Sequence, residues 1–216
     1  MKLPRKTLER KLFNSGYGYI CAVDEVGMGC LAGPVVVCAV EATKDFYKKS
    51  HPALRGLRES KLLSAIQREK FAAELLKNKD LKFKVCCAYP KTIDKLNIYQ
   101  AARLAMKRAV IALRPAQGDE YLKKIVLIDG KTKIKNLNIE QMAIVKGDRK
   151  VFAIACASII AKVYRDKMMT KYAKKYPGYG FEKHKGYGTK YHQAQLAYLG
   201  PCDIHRKSFA PVAKLI

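Results

Sequence analysis

No apolar run in this chain approaches the roughly 20 residues that a membrane-spanning helix needs. The basic stretch at residues 1–13, MKLPRKTLERKLF, also lacks the apolar centre of a secretory signal. It leaves two readings open, a short amphipathic lead-in to the fold or a frayed tail. None of the seven cysteines (Cys21, Cys30, Cys38, Cys86, Cys87, Cys156, Cys202) forms a C-x-x-C pair, and their number is odd. Cys21, Cys38, Cys86 and Cys156 lie in apolar runs, where cysteine behaves as a small hydrophobe. A reducing cytoplasmic setting without a disulfide framework follows as the expectation. The four histidines lack zinc spacing: Cys202 and His205 make one C-x-x-H pair with no second half. There is no internal repeat, no low-complexity linker and no block of like charge.

Acidic residues are few beside the basic ones. Eighteen Asp and Glu stand against forty-three Lys and Arg, for a formal charge of +25. An excess of that size favours a polyanionic partner through counterion release, nucleic acid before an anionic membrane surface. The basic residues are dispersed, so they decorate folded elements and do not form a tail. With 49% hydrophobic residues, the 216-residue chain can bury a sizeable core.

Against that basic background the few acids stand out by position. The stretch Tyr19 to Val40 reads as apolar run, Asp24-Glu25, glycine-rich turn (Gly27, Gly29, Gly33-Pro34), then the β-branched run from Val35 to Val40. Short apolar runs between turn signals suit buried strands. A dinucleotide-binding loop would have to open a helix, but Val35-Val36-Val37 is strand-like. Two adjacent carboxylates repel and are costly to desolvate without a cation. Taken alone, the stretch fits either a metal site or a hairpin with a solvated acidic turn.

Further along, residues 41–57 read as loop. Ser64 with Gln67 forms a capping box for a helix ending near Asn78. Residues 82–89 alternate, with Phe83, Val85 and Cys87 on one face, and Pro90 stops this half-buried strand. Asn97 caps a helix with an alanine-rich stripe (Ile98, Ala102, Ala105, Ala109, Ala112), ended by Arg114-Pro115 and Gly118. Ile125 to Asp129 reads as a parallel strand and Gln141 to Val145 as another. Residues 151–176 form a long helix, apolar all round at first and then amphipathic with Ile160, Tyr164, Met168 and Tyr172 at steps of four. A last helix covers about Lys190 to Leu199. The expected fold is α/β: a mixed sheet, its early strands antiparallel and its later ones parallel, with helices on its faces.

Acids recur at equivalent places: Asp24-Glu25 after the first strand, Asp129 after IVLI, Asp148 before the long helix. If the strands bearing Asp24 and Asp129 are parallel neighbours, these ends converge into an oxygen-ligand site for Mg²⁺ or Mn²⁺. Adjacent strand residues point to opposite faces, so Glu25 should already lie in the turn to share that site. Two such cations about 4 Å apart suit phosphodiester hydrolysis. Singly, each acid has a plainer reading: Asp129-Gly130 a turn, Asp148 a helix cap, Asp166 the partner of Lys162 in a helix salt bridge.

These motifs together resemble the type 2 ribonuclease H family, the bacterial ribonuclease HII proteins. VDEVGMGCLAGPVV is similar to the family's D-E-x-G-R-G-x-L-A-G-P signature, and Glu59-Ser60-Lys61-Leu62-Leu63-Ser64 to its D-S-K-K-L-S. IDG at 128–130, KGD at 146–148, ASIIAKVYRD at 157–166, HKGYGT at 184–189 and GPCDIHRKSF at 200–209 follow in order. The resemblance spans about residues 17 to 212. It implies a ribonuclease H-like five-stranded sheet in a catalytic domain at 1–176, with a C-terminal helical extension at 177–216 that helps bind substrate. It implies a metal-dependent endonuclease that cuts RNA in RNA–DNA hybrids and 5′ of ribonucleotides embedded in duplex DNA; a monomer is the expectation on a separate ground, the want of an apolar seam outside the core. Products carry 3′-hydroxyl and 5′-phosphate ends. By motif, the catalytic metal ligands carry over to Asp24, Glu25, Asp129 and Asp148. Gly27, Met28 and Gly29 map onto the turn that contacts the ribose 2′-hydroxyl, Tyr187 onto the tyrosine that packs on the sugar, and Lys61 onto a phosphate contact. Another nuclease of this fold acting on DNA, or a non-catalytic hybrid-binding protein, are the competing readings.

Two residues depart from the pattern: Met28 stands where the family usually has arginine, and Glu59 where it has aspartate. Backbone contacts from residue 28 survive its change, but a guanidinium contact to phosphate does not. Met28→Arg should therefore cleave a junction substrate better than the wild type, and equal rates would refute that expectation.

Overall fold

The computed structural model describes residues 3–113 and 121–216. Helix α1 (Thr7–Asn14) leads into strands β1 (Tyr19–Val26) and β2 (Val35–Thr43) and a short helix α2 (Lys44–Lys48). Then come α3 (Ala65–Lys77), β3 (Leu81–Ala88), α4 (Pro90–Leu96), α5 (Ile98–Ala112), β4 (Lys124–Asp129) and β5 (Glu140–Ile144). The one-turn α6 (Gly147–Lys150), the long α7 (Phe152–Lys175), α8 (Phe181–His184), α9 (Lys190–Leu199) and α10 (Ala210–Ala213) complete the order. The five strands form one sheet of order β3-β2-β1-β4-β5. β1 pairs antiparallel with β2, and β2 with β3. β1 pairs parallel with β4, and β4 with β5.

The sheet's two faces carry separate cores. Ile20, Ala22, Ile125 and Leu127 pack with the apolar half of α7 and with α1 to α3. Cys21, Val23, Val126 and Ile128 pack beneath the alanines of α5. Ala101, Ala102, Ala105 and Ala109 are all buried, and a small side chain at each lets the helix lie close on the strands. Both caps read from the sequence form. Ser64 and Gln67 exchange hydrogen bonds at the start of α3, and the Asn97 side chain accepts from Tyr99 N–H and Gln100 N–H at α5.

The N-terminal stretch is a docked helix. Its buried Glu9 accepts a 3.0 Å bond from the Ala153 amide, which places a carboxylate at the amino end of α7. Leu12 and Phe13 join the α7-side core, while Thr7, Arg10, Lys11 and Asn14 stay exposed.

Two expectations are corrected, the loop at 41–57 and the helix stripes, and two about β3 hold with added detail. The segment 41–57 is not all loop: β2 runs through Thr43, and α2 follows with Phe46 and Tyr47 buried. Pro90 does end β3, but it also opens α4, since proline's fixed φ suits the first helical turn. The half-buried reading of β3 holds: Leu81 is buried and Val85 and Cys87 pack half-buried on the same core, while Phe83 on that face of the edge strand is exposed. The stripe expected on α7 and α5 shifts: Tyr164 and Ala112 are exposed, while Arg165 and Met169 are fully buried. The chain that follows α7 folds back over Arg165 and Met169, so a second layer covers a face that periodicity assigned to solvent. The helix stop expected at Arg114-Pro115 and Gly118 lies outside the described residues.

Candidate active site

Asp24 and Asp129 meet because β1 and β4 are parallel neighbours. The last paired residues are Val23 and Ile128, and each acid is the next residue of its strand. With a side-chain period of two, Asp24 follows Ile20 and Ala22, and Asp129 follows Ile125 and Leu127, all on the α7 face. Glu25 differs from expectation. It has not entered the turn; β1 continues through Val26, with Glu25 opposite Val37. It still reaches the same cavity, because that cavity lies beyond the carboxyl ends of the strands. Asp148 arrives from the other side, in the first turn of α6, after Lys146 takes a left-handed conformation. Asp129 holds that turn: its Oδ1 accepts from the Gly147 amide at 2.7 Å.

A cavity of about 670 Å³ is lined by Asp24, Glu25, Asp129, Asp148, Gly27, Met28, Gly29, Lys61 and Tyr187, every site residue read from the sequence. Ser60, Arg68, Ser158 and Lys162 line it as well, and these were missed. Ser158 hydrogen-bonds the Asp24 carboxylate and lies 3.1 Å from Ser60 Oγ. Its sequence signals were a hydroxyl inside an otherwise apolar helical run and a place in the ASIIAKVYRD stretch.

The acids repel one another. Burial raises Asp24 well above the usual carboxylate range, and the charges of Glu25 and Asp129 add to this. Glu25 is pushed up to about 7 by burial and then by Asp129. Asp148 is raised by burial, then by Asp129 and Glu59. Lys61 faces Glu25 and Asp148 and pulls both back down. Glu59, the departure from the family pattern, is buried and clamped by Arg149, whose Nε lies 2.6 Å and Nη2 3.1 Å from its carboxylate. That bidentate pair ties residue 59 to the α6 turn that carries Asp148.

The glycine-rich loop between β1 and β2 is held from behind by two fully buried arginines, Arg165 and Arg206. Arg206 donates to the carbonyls of Gly33 (3.0 Å), Met28 (2.9 Å) and Gly27 (2.6 Å). Arg165 donates to Pro34 (3.0 Å), Ala32 (3.1 Å) and Lys185 (2.7 Å). A trans peptide sets its C=O and the following N–H in opposite directions. With the Gly27 and Met28 oxygens turned toward Arg206, the amides of Met28 and Gly29 face away from it. Gly27 must be glycine: its φ is +96°, and a Cβ would collide with the Arg165 side chain.

Tyr187 is fixed by a chain of neutral histidines. His205 Nδ1 accepts from the Cys202 amide at 2.9 Å, which leaves its proton on Nε2, 3.1 Å from His192 Nε2. His192 then carries its own proton on Nδ1 and donates to the Tyr187 carbonyl at 2.9 Å. Burial pushes both rings down to about 4, which keeps them uncharged at neutral pH. Bridges Cys30–Tyr187 and Ala32–His205 join these segments to the glycine-rich loop.

Similar folds are known. The ribonuclease H2 of Pyrococcus horikoshii OT3 superposes with a TM-score of 0.74 at 25% identity, over 91% of this chain and 96% of that one. Bst-RNase HIII, solved in complex with Mn²⁺, superposes at 0.70 with 17% identity, over 93% of this chain and 70% of that one. The fold is thus that of the ribonuclease H-like nucleases, a mixed five-stranded sheet flanked by helices. The family model for ribonuclease HII matches residues 21–212. The ribonuclease HII of Caldicellulosiruptor saccharolyticus is 47% identical over 202 residues, 94% of this chain and 92% of that one. The chain belongs to the ribonuclease HII family, metal-dependent endonucleases that cleave RNA in RNA–DNA hybrids and at embedded ribonucleotides. Among the described residues, no helix is long and apolar enough to cross a membrane.

Proposed function

We propose that Asp24, Glu25, Asp129 and Asp148 are the catalytic metal ligands, holding Mg²⁺ or Mn²⁺. The observation that carries this reading is the convergence of four acids from separate elements on one cavity of a strongly basic chain. The donors fit a hard divalent cation. All are carboxylates; burial first, and then the charges of neighbouring acids, raise Asp24, Glu25 and Asp148, and the buried Glu25 Oε2 has no hydrogen-bond partner. Among the described residues no three His, Cys, Asp or Glu side chains stand close enough together to hold a metal ion as placed, so the acids would have to draw in around the cation. An open arrangement suits Mg²⁺, which keeps waters and takes phosphate oxygens along with one or two carboxylates. Cations held by these four carboxylates would supply an activated water and stabilisation of the leaving 3′ oxygen.

The rest of the cavity orients the substrate. The outward amides of Met28 and Gly29, with Gly27, donate to the ribose 2′-hydroxyl, the one group that tells RNA from DNA at a given nucleotide. Tyr187, partly exposed beside the Arg165 guanidinium, packs on the adjoining sugar. Lys61 meets a phosphate. Residues 177–216 act as an extension of the catalytic domain, supplying Tyr187 and the histidine chain. The protein works as a cytoplasmic monomer on hybrids and on duplex DNA with embedded ribonucleotides, leaving 3′-hydroxyl and 5′-phosphate ends.

A duplex with a single ribonucleotide tests this. It should be cut 5′ of the ribonucleotide with Mg²⁺ or Mn²⁺ and be left intact when EDTA is added. Cutting that persists in EDTA would remove the metal reading. Equal cutting of the all-DNA duplex would favour a DNA nuclease of the same fold.

A further inference from the structure

A second cavity, of about 710 Å³, opens beside the first between α3, α7 and α8. Arg68 and Lys162 line both, so the two cavities adjoin along this shared wall. Asp166 fixes that junction, lying 2.8 Å from Lys162 Nζ and 3.8 Å from Arg68 Nη2. Beyond it the walls are basic. Lys167, Lys171 and Lys174 follow one another on an exposed face of α7 at steps of four and three, which sets them in a row. Lys183 and Lys185 close the opposite side, and Lys185 Nζ reaches across to Thr170 Oγ1 at 3.0 Å. Seven basic side chains line the groove against three acidic ones, and Asp166 is already paired. No step of the proposed chemistry uses Lys167, Lys171 or Lys174.

We infer that this groove is a track for the phosphate backbone of the duplex flanking the cleavage point, on one side only. The inference rests on the nuclease reading above, which places the scissile bond in the first cavity. From Lys162 to Lys174 the helix axis covers roughly 18 Å, and a strand presents a phosphate about every 3.4 Å along its axis, so the track matches about five phosphates. A flexible lysine on an open wall grips phosphate as a point charge and carries no base preference. The groove therefore sets affinity and flank length, while the glycine-rich loop sets ribose selection.

The test is the salt dependence of binding and of KM for Lys167→Gln/Lys171→Gln/Lys174→Gln. Substrates would carry one ribonucleotide with flanks of a few base pairs, or with a flank longer than a helical turn on the 5′ or the 3′ side. Removing three phosphate contacts should make the log–log salt slope shallower by about 2 to 3 for the duplex whose long flank enters the groove. The effect should shrink with the flank and be absent when the long flank lies on the other side. Glu69→Lys, which adds a cation to the same wall, should lower KM on the same long-flank duplex. An unchanged slope and KM in both variants, or equal effects from either flank, would overturn the track. A wild-type protein that cuts none of these duplexes would instead count against the nuclease reading. The binding slopes would still judge the groove.

Discussion

Asp129→Asn should abolish cleavage, by at least about 10²–10³-fold, the scale of losing one group that stabilises developing charge, while binding of the uncut duplex is kept or improved. The substitution is nearly isosteric. The amide oxygen can still accept from the Gly147 amide, so the α6 turn and Asp148 stay in place. What disappears is one negative charge from the middle of the acidic set, the charge that raises Asp24, Glu25 and Asp148 alike. The remaining acids then repel one another less, and phosphate is repelled less. A metal would lose a charged ligand that an amide oxygen replaces poorly. Single-turnover cleavage with Mn²⁺, alongside binding measured in EDTA, separates the two effects. Near-normal cleavage by the variant would take Asp129 out of the proposed ligand set.

The second large effect is at Arg206, far from the chemistry in sequence. Arg206→Ala would strip the donors from three carbonyls, those of Gly27, Met28 and Gly33, inside a buried site. Leaving a buried acceptor unsatisfied costs about 1–3 kcal/mol, so the variant should lose several kcal/mol and melt well below the wild type. Arg206→Lys is the more informative change. It keeps a cation, but an ammonium on a flexible stem cannot reproduce the fork that holds three oxygens at once. Its loop should loosen while the sheet stays folded. The wild type's preference for a ribonucleotide-containing duplex over all-DNA duplex should then fall by about tenfold, the worth of one hydrogen bond near 1.4 kcal/mol. Thermal melting and binding to both duplexes decide it. A stable Arg206→Lys variant with unchanged preference would make the arginine a packing residue only.

These two residues also mark how far the sequence could be read. Asp129 was legible because local signals fix a strand end: β-branched Ile125 to Ile128, then Asp129-Gly130. The capping side chains of α3 and α5 and the antiparallel-then-parallel order were legible for the same reason. Glu25 was placed wrongly, in the turn, because strand length depends on the partner: β2 pairs with it as far as Val26. Arg165 and Arg206 lie in stretches that resemble the family, but neither gave any local sign of being buried. Among lysine and arginine residues spread along the chain, nothing local separates a buried guanidinium from a solvated one. All their carbonyl partners but Lys185, which is 20 residues from Arg165, lie 131 to 179 residues away.

By itself the sequence determined the chemistry available to this protein: a few carboxylates at strand ends, a glycine-rich turn and an excess of cations. Periodicity and capping are short-range properties, so a linear reading recovers them. Only the tertiary structure decided which groups act together. It set Asp24 beside Asp129 through parallel pairing, turned the loop amides outward by anchoring their carbonyls on buried arginines, and aligned the α7 lysines into a groove adjoining the acidic cavity. Those outcomes depend on packing between segments far apart in the chain, where one residue's burial is settled by the layer that folds over it.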